Sequence, residues 1–147
     1  MANAELIAIG SELLLGQIVD TNSAWIAQRL SEIGINLYYK SIVGDNSERM
    51  IETLEKALDR SDVVITGGGL GPTEDDLTRQ VIAEVTASKL IPDPDLIKEM
   101  DLRFRNRGLI MTRNNERQAY IPENAVPVQN PNGTAPAFIV EYRDRII

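Results

Sequence analysis

Four glycines in five positions, followed at once by a proline, a threonine and three acids, give the stretch Thr66-Gly67-Gly68-Gly69-Leu70-Gly71-Pro72-Thr73-Glu74-Asp75-Asp76-Leu77-Thr78 its chemical character. An apolar run precedes it and a helical pattern opens near its end. Glycines let the backbone approach a phosphate closely, so that several N–H groups can converge on one anion. A helix amino terminus adds unpaired N–H groups and a partial positive charge. The segment from Gly67 to Thr78 therefore reads as an anion-binding loop, with Gly68, Gly69, Gly71, Thr73 and Thr78 as candidate phosphate ligands. No Gly-Lys-Ser/Thr follows, so it is not a P-loop, and Pro72 stands where a dinucleotide fingerprint needs its third glycine. A plain strand-to-helix turn would need only one or two glycines.

Asp75 and Asp76 repel a phosphate unless a cation intervenes. With no histidine and no cysteine in the chain, only oxygen ligands are available, which suits hard cations such as Mg²⁺ or K⁺. A divalent ion on these acids could bridge to a diphosphate and orient an attacking water. The competing role is helix capping, where a carboxylate accepts first-turn N–H groups. Asp45 follows the second apolar run at the same end of the sheet, as a second metal ligand, a ribose-hydroxyl acceptor or a cap. Glu12 lies in the long loop Gly10 to Thr21, which reads as one wall of a pocket; Leu13, Leu14 and Leu15 there read as packing. The missing histidine and cysteine also exclude disulfides, thiolate nucleophiles, zinc-type sites and a Ser-His-Asp relay.

These residues need elements to hold them. Ala4 to Ile9 suits a strand buried on both faces. Asn22 is positioned to cap a helix with Trp25, Ile26, Leu30 and Ile33 inward and Gly34 as its stop. Ile35 to Val43 is a second strand, and Gly44-Asp45-Asn46-Ser47 leads into a helix carrying Met50, Ile51, Leu54, Ala57 and Leu58. Val63 to Thr66 is a third strand, and Asp76 a candidate cap for a helix with Leu77, Val81, Ile82 and Val85. Three strand-then-helix units in a row predict an α/β fold with a mostly parallel sheet covered on both faces. Beyond Ile91, Pro92-Asp93-Pro94 starts a helix carrying Ile97, Met100 and Phe104 that Gly108 ends. Thr112 to Ala119 reads as a short helix, Val126 to Gln129 as extended, and Ala137 to Tyr142 as a strand. Arg145-Ile146-Ile147 looks like the opening of a strand cut short, as in a fragment of something longer.

The 147 residues suit one domain, 1–147, with a single core, and carry 43% apolar and 25% charged residues. A net charge of −7 argues against nucleic acid as partner. Arg103, Arg105 and Arg107, the one basic concentration, read as a solvated helix face. No apolar run reaches a membrane span and the start lacks signal-peptide character, so no membrane partner is expected and the chain reads as cytoplasmic.

Gly10-Ser11-Glu12-Leu13-Leu14-Leu15-Gly16, Asp20-Thr21-Asn22, Gly44-Asp45 and the loop from Thr66 to Thr78 together resemble the amino-terminal domain of the competence/damage-inducible protein CinA family. Asn115-Glu116-Arg117-Gln118-Ala119 and Asn130-Pro131-Asn132-Gly133-Thr134-Ala135-Pro136 extend the likeness over nearly the whole chain. It implies a three-layer α/β/α sandwich similar to the molybdenum-cofactor biosynthesis domains of MoaB/Mog type, and metal-dependent ADP-ribose pyrophosphatase activity. Carried over, it puts Gly68, Gly69 and Thr73 near the phosphates and Asp45, Asp75 and Asp76 at a metal and hydrolytic centre. Glu12 and Asn22 would form the ligand wall, and Gly133 and Thr134 a second loop closing on the ligand. A homo-oligomer is implied as well. The chain has Ala137 where the family usually has glycine, and it stops before the family's Leu-Pro-Gly loop and its separate nicotinamide mononucleotide deamidase domain, so deamidase activity is not expected of it.

Three functions follow: hydrolysis of the ADP-ribose diphosphate, binding of a pterin phosphate such as molybdopterin, or noncatalytic nucleotide binding that regulates a partner domain. The fold alone does not choose among them.

Overall fold

Residues 2–147 are described by a computed structural model. Three apolar runs form parallel strands β1 (Asn3–Ile9), β2 (Asn36–Val43) and β3 (Val63–Gly67), joined by two short strands, β8 (Glu141–Tyr142) and β9 (Arg145–Ile146), in the order β2-β1-β3-β9-β8. β8 and β9 pair antiparallel; the other pairings in this sheet are parallel.

Alternation along β1 builds the layers, because successive side chains point to opposite faces. Ile7 and Ile9 join Met50, Leu54, Val81 and Ile82 under α3 (Ser47–Arg60) and α4 (Thr78–Val85). Ala4 and Leu6 join Leu30, Ile26 and Ile65 under α2 (Thr21–Glu32). The result is the expected α/β/α sandwich with a mostly parallel sheet. Glu5, fully buried on β1, is held by a two-pronged pair with Arg60, Nε to Oε2 2.9 Å and the second guanidinium nitrogen to Oε1 2.7 Å. Such pairing is what makes a carboxylate tolerable inside a sheet.

The remaining elements are α1 (Ser11–Leu14), β4 (Leu90–Pro92), α5 (Pro94–Asn106), α6 (Arg113–Glu116), a 3₁₀ turn at Arg117–Ala119, β5 (Tyr120–Pro122), β6 (Val126–Val128) and β7 (Ala137–Ile139). β4 pairs with β5 and β6 with β7, both antiparallel. Leu96, Met100, Ala119 and Ile121 form a small satellite core there. Among the described residues no helix is long and apolar enough to cross a membrane.

Several expectations are corrected. Asp20, not Asn22, caps α2, with its Oδ1 accepting the Ser23 amide at 3.0 Å. On that helix Trp25 and Ile33 are exposed, since Leu30 and Ile26 already fill the contact with the sheet. α4 starts at Thr78 without a side-chain cap, so Asp76 does not cap it. The single strand expected from Ala137 to Tyr142 divides at buried Val140 into β7 and β8, which serve different sheets. Arg103 is not part of a solvated face: it bonds the carbonyls of Asn130 and Gly133 and pairs with Glu99, tying the following loop to α5. Arg105 keeps the solvated role, 2.7 Å from Asp101.

Candidate functional site

The carboxyl ends of β1 and β3 lie side by side, with Ala8 opposite Gly67. Both chains break direction there, β1 into Gly10 and α1, β3 into the glycine loop. A cleft of about 230 Å³ opens at this point, where α/β sheets of this kind present ligand crevices. Its polar edge includes Glu12, Asp20, Asn22, Gly67 and Gly68, and Ile18, Val19, Ile26 and Ile65 supply apolar wall. A larger hollow of about 470 Å³ lies beside α3, between Glu55, Asp59 and Tyr142. It includes none of the glycine loop, so chemistry rather than size assigns the site.

The glycines are there for different reasons. Gly68 has φ +108°, and a Cβ on it would stand 2.1 Å from the Ile9 carbonyl oxygen. Gly69 has φ +67°, and its Cβ would meet Thr78 Oγ1 at 2.2 Å. That hydroxyl donates to the Gly68 carbonyl at 2.7 Å, and the Thr78 amide donates to the Gly69 carbonyl at 3.2 Å, so the start of α4 closes the loop. Gly71 leaves room for the Asp76 carboxylate, 2.5 Å from where its Cβ would be. Gly67 is different: a Cβ there meets nothing within 4 Å, its φ is not left-handed, and it borders the cleft. Folding does not require glycine at 67.

The acids are engaged locally. Asp76 Oδ2 accepts the Thr73 amide at 2.9 Å and the Thr73 hydroxyl at 2.6 Å. Burial pushes the Asp76 pKa up, but the Thr73 and Gly71 donors and the Arg79 charge outweigh it and hold the carboxyl below its ordinary value. Asp45 Oδ2 accepts the Ser11 amide at 2.9 Å and the Ser11 hydroxyl at 2.8 Å, which ties α1 to the end of β2. Asp75 is exposed. None of Asp45, Asp75 and Asp76 borders the cleft, and no three acidic side chains among the described residues gather as a metal-binding group. Thr73, Gly69, Gly71 and Thr78 shape the loop from behind. Gly133 and Thr134 rest against α5, Thr134 beside Leu96, Glu99 and Arg103, and do not reach the cleft edge.

Two residues with roles here escape sequence reading. Arg79 is 3% exposed and donates to the Leu70 and Gly71 carbonyls at 2.6 and 2.7 Å, bracing the loop from within α4. Asp20 borders the cleft while capping α2, and its buried Oδ2 forms an ion pair with Lys40 Nζ at 3.4 Å. Burial raises the Asp20 pKa, yet Ser23 and Lys40 bring it below its ordinary value. The spacing Asp20 to Ser23 is a capping signal; nothing local in the sequence marks Arg79.

Residues 5–147 match a family model described as "Probable molybdopterin binding domain". A competence-damage inducible protein of Halothermothrix orenii is 50% identical over 144 residues, 98% of this chain and 35% of that protein. One of Acetivibrio thermocellus is 48% identical over 145 residues, again 35% of its length. This chain thus spans about a third of these relatives. Among solved structures, the protein CinA of Thermoplasma acidophilum, described as of unknown function, superposes with a TM-score of 0.89 at 32% identity, over 99% of this chain and 85% of that one. The tungsten cofactor synthesizing protein MoaB of Pyrococcus furiosus shares the fold at 19% identity, TM-score 0.59, over 100% of this chain and 78% of that one.

Proposed function

This chain belongs to the molybdopterin-binding domain family, in its CinA branch, and on that footing we propose that it binds a pterin phosphate such as molybdopterin in the cleft between Gly67 and α2. The observation that carries this reading is Gly67. Neither conformation nor packing calls for a glycine there, and what it leaves open is the cleft itself. A ligand whose anionic group comes up against the backbone gives that glycine its purpose. The apolar wall of Ile18, Val19, Ile26 and Ile65 suits the face of a flat heterocycle.

Size favours the same ligand. Pockets for drug-sized molecules run from about 300 to 1,000 Å³, and this one, at about 230 Å³, suits one ring system with a phosphate. ADP-ribose would extend well outside it. Hydrolysis of its diphosphate would call for a cation on Asp45, Asp75 and Asp76. The donor set does not fit one as it stands, because Asp45, Asp75 and Asp76 do not gather as a metal-binding group among the described residues and none of them borders the cleft, so no step is assigned to a metal. The residues at hand bind and orient: loop amides meet the phosphate, Thr78 and Arg79 keep the loop in shape, and α2 presents its amino end.

Calorimetric titration with 6-hydroxymethylpterin phosphate tests this, with ADP-ribose and Mg²⁺ run in parallel and assayed for AMP. Saturable pterin phosphate binding without AMP release is expected. No saturable binding removes the proposal, and magnesium-dependent AMP release replaces it with the pyrophosphatase. We also propose self-association, since Leu14 and Leu15, expected as packing residues, are exposed instead, as is Val19 four positions on; light scattering on the eluting protein reads the mass.

A further inference from the structure

The hollow beside α3 has a volume of about 470 Å³, inside the range of about 300–1,000 Å³ that small-molecule sites occupy. Its floor is apolar: Leu58 is buried, and Val85 and Tyr142 pack against the main core. Its rim carries both signs of charge, with Glu55 and Asp59 on α3 facing the hollow from one side and Arg143 and Arg145 of the β8–β9 hairpin from the other. We propose that this hollow is a second binding site, for a zwitterion with an apolar body. An amino acid or short peptide would place its ammonium at Glu55 and Asp59, its carboxylate at Arg143 and its side chain on the floor. The site is separate from the cleft at Gly67 and does not depend on what that cleft binds.

Three rim residues stand where local structure disfavours them. Glu55 and Asp59 are one helical turn apart on α3, so their charges repel. Asp59 also falls in the last turn, where the negative end of the helix dipole opposes a carboxylate. Neither side chain has a hydrogen-bond or ion-pair partner among the described residues, so no cation there relieves the repulsion. Arg143 and Asp144 have φ of +49° and +60°, the left-handed pair that closes the tight turn between Tyr142 and Arg145. Asparagine and glycine are the ordinary choices in such a turn. Arginine at 143 instead lays its guanidinium over the Tyr142 ring, 4.8 Å from the centroid, and forms no ion pair. Arg145 is already engaged, 2.5 Å from Asp62, which leaves Arg143 to meet a guest.

Folding explains none of these placements, and residues that break local rules together mark functional sites. Their convergence on one hollow defines the ligand. An anion alone would face Glu55 and Asp59, and a cation alone would face Arg143. The acids and Arg143 do not pair with each other, so the space between them is open to a molecule that carries both charges.

L-Phenylalanine titrated into the isotope-labelled chain tests this, read by backbone amide shifts. Resonances of Glu55, Asp59, Val85 and Arg143 should move and saturate. Phenylalaninamide lacks the carboxylate and N-acetylphenylalanine lacks the ammonium. Each should bind about fivefold more weakly, the effect of one exposed ion pair. A phenylalanyl-leucine dipeptide separates the two sources: tighter binding than phenylalanine favours a peptide end, weaker binding the free amino acid, and either supports a zwitterion site. Arg143→Asn gives the left-handed turn a residue suited to it, so the melting temperature should hold or rise. That variant should weaken phenylalanine about fivefold and leave phenylalaninamide unchanged. Asp144→Asn, on the same turn but off the rim, should change neither. The proposal is overturned by no saturable shift up to the solubility limit of phenylalanine, or by equal affinity for phenylalanine and its two analogues. Shifts at Ile18 and Val19 in place of α3 and the hairpin, or an Arg143→Asn variant that binds as the wild type does, overturn it as well.

Discussion

Gly67→Val separates ligand binding from folding more cleanly than any other change in this chain. A Cβ at 67 meets nothing within 4 Å and the backbone there is not left-handed, so a branched side chain enters without strain. Glycine in a strand costs about 0.5–1 kcal/mol relative to a residue with a side chain, so the variant should be slightly more stable, with Tm up by about 1–4 °C for a domain of this size. Binding should move the other way. A phosphate oxygen accepting from a loop amide lies about 2.9 Å from the nitrogen, whereas a carbon of the new side chain needs about 3.5 Å to any ligand atom. The ligand must withdraw and lose at least one charge-assisted hydrogen bond, worth about 1.5–3 kcal/mol, or roughly 10- to 150-fold in Kd. Calorimetry with 6-hydroxymethylpterin phosphate reads the loss and scanning calorimetry the gain. An affinity within threefold of wild type refutes the reasoning, because Gly67 would then have no ligand to accommodate.

Thr78→Val should destabilise by about 1 kcal/mol in urea titration, since the Gly68 carbonyl loses the 2.7 Å donor that the buried Thr78 hydroxyl gives it, and Thr78→Ser should recover most of it. Arg79→Met leaves the Leu70 and Gly71 carbonyls without the donors at 2.6 and 2.7 Å and should cost about 2–4 kcal/mol. Arg79→Lys should not restore it, because one ammonium cannot span two carbonyls as a planar fork does. Acid sensitivity follows from Asp76 and Asp20, both held below their ordinary value. A carboxyl depressed in the folded state contributes stability above its unfolded pKa and loses it as the pH falls through the folded one. Urea midpoints should stay level down to about pH 4.5 and fall below about pH 4, and Asp76→Asn should shrink that fall.

The central layers are legible because β1 and β3 are mostly apolar, β2 alternates with β-branched and aromatic residues, and the helices carry apolar stripes. Met50, Leu54, Ala57 and Leu58 face the sheet as their spacing requires. Errors arose where two residues could do one local job. Asp20 and Asn22 are both good caps, and the Ser23 amide decides for Asp20. Asp76 precedes a helix as caps do, yet the reach back to Thr73 wins because the loop doubles on itself at Gly71. Arg103 and Arg79 were beyond local reading, since their partners are carbonyls that tertiary folding brings near. The density of glycine marks the loop as a candidate site in the sequence. Only the structure distinguishes Gly68 and Gly69, which the backbone requires, from Gly67, which it does not.

That distinction bears on how the site works. Three glycines, Thr78 and Arg79 fix the loop before any ligand arrives, so little ordering remains for binding to impose. On the proposed reading a preformed geometry of this kind is an advantage, because no cationic side chain among the described residues borders the cleft. The amides supply attraction for the phosphate, and Glu12 and Asp20 make the remaining edge hostile to a second anion. A diphosphate carries just such a second charge. Glu12 and Asp20 therefore weigh against ADP-ribose whatever the volume of the cleft. Raising ionic strength screens charges on an open edge, so it should narrow any preference for the monophosphate; a preference indifferent to salt would mean that shape alone sets it.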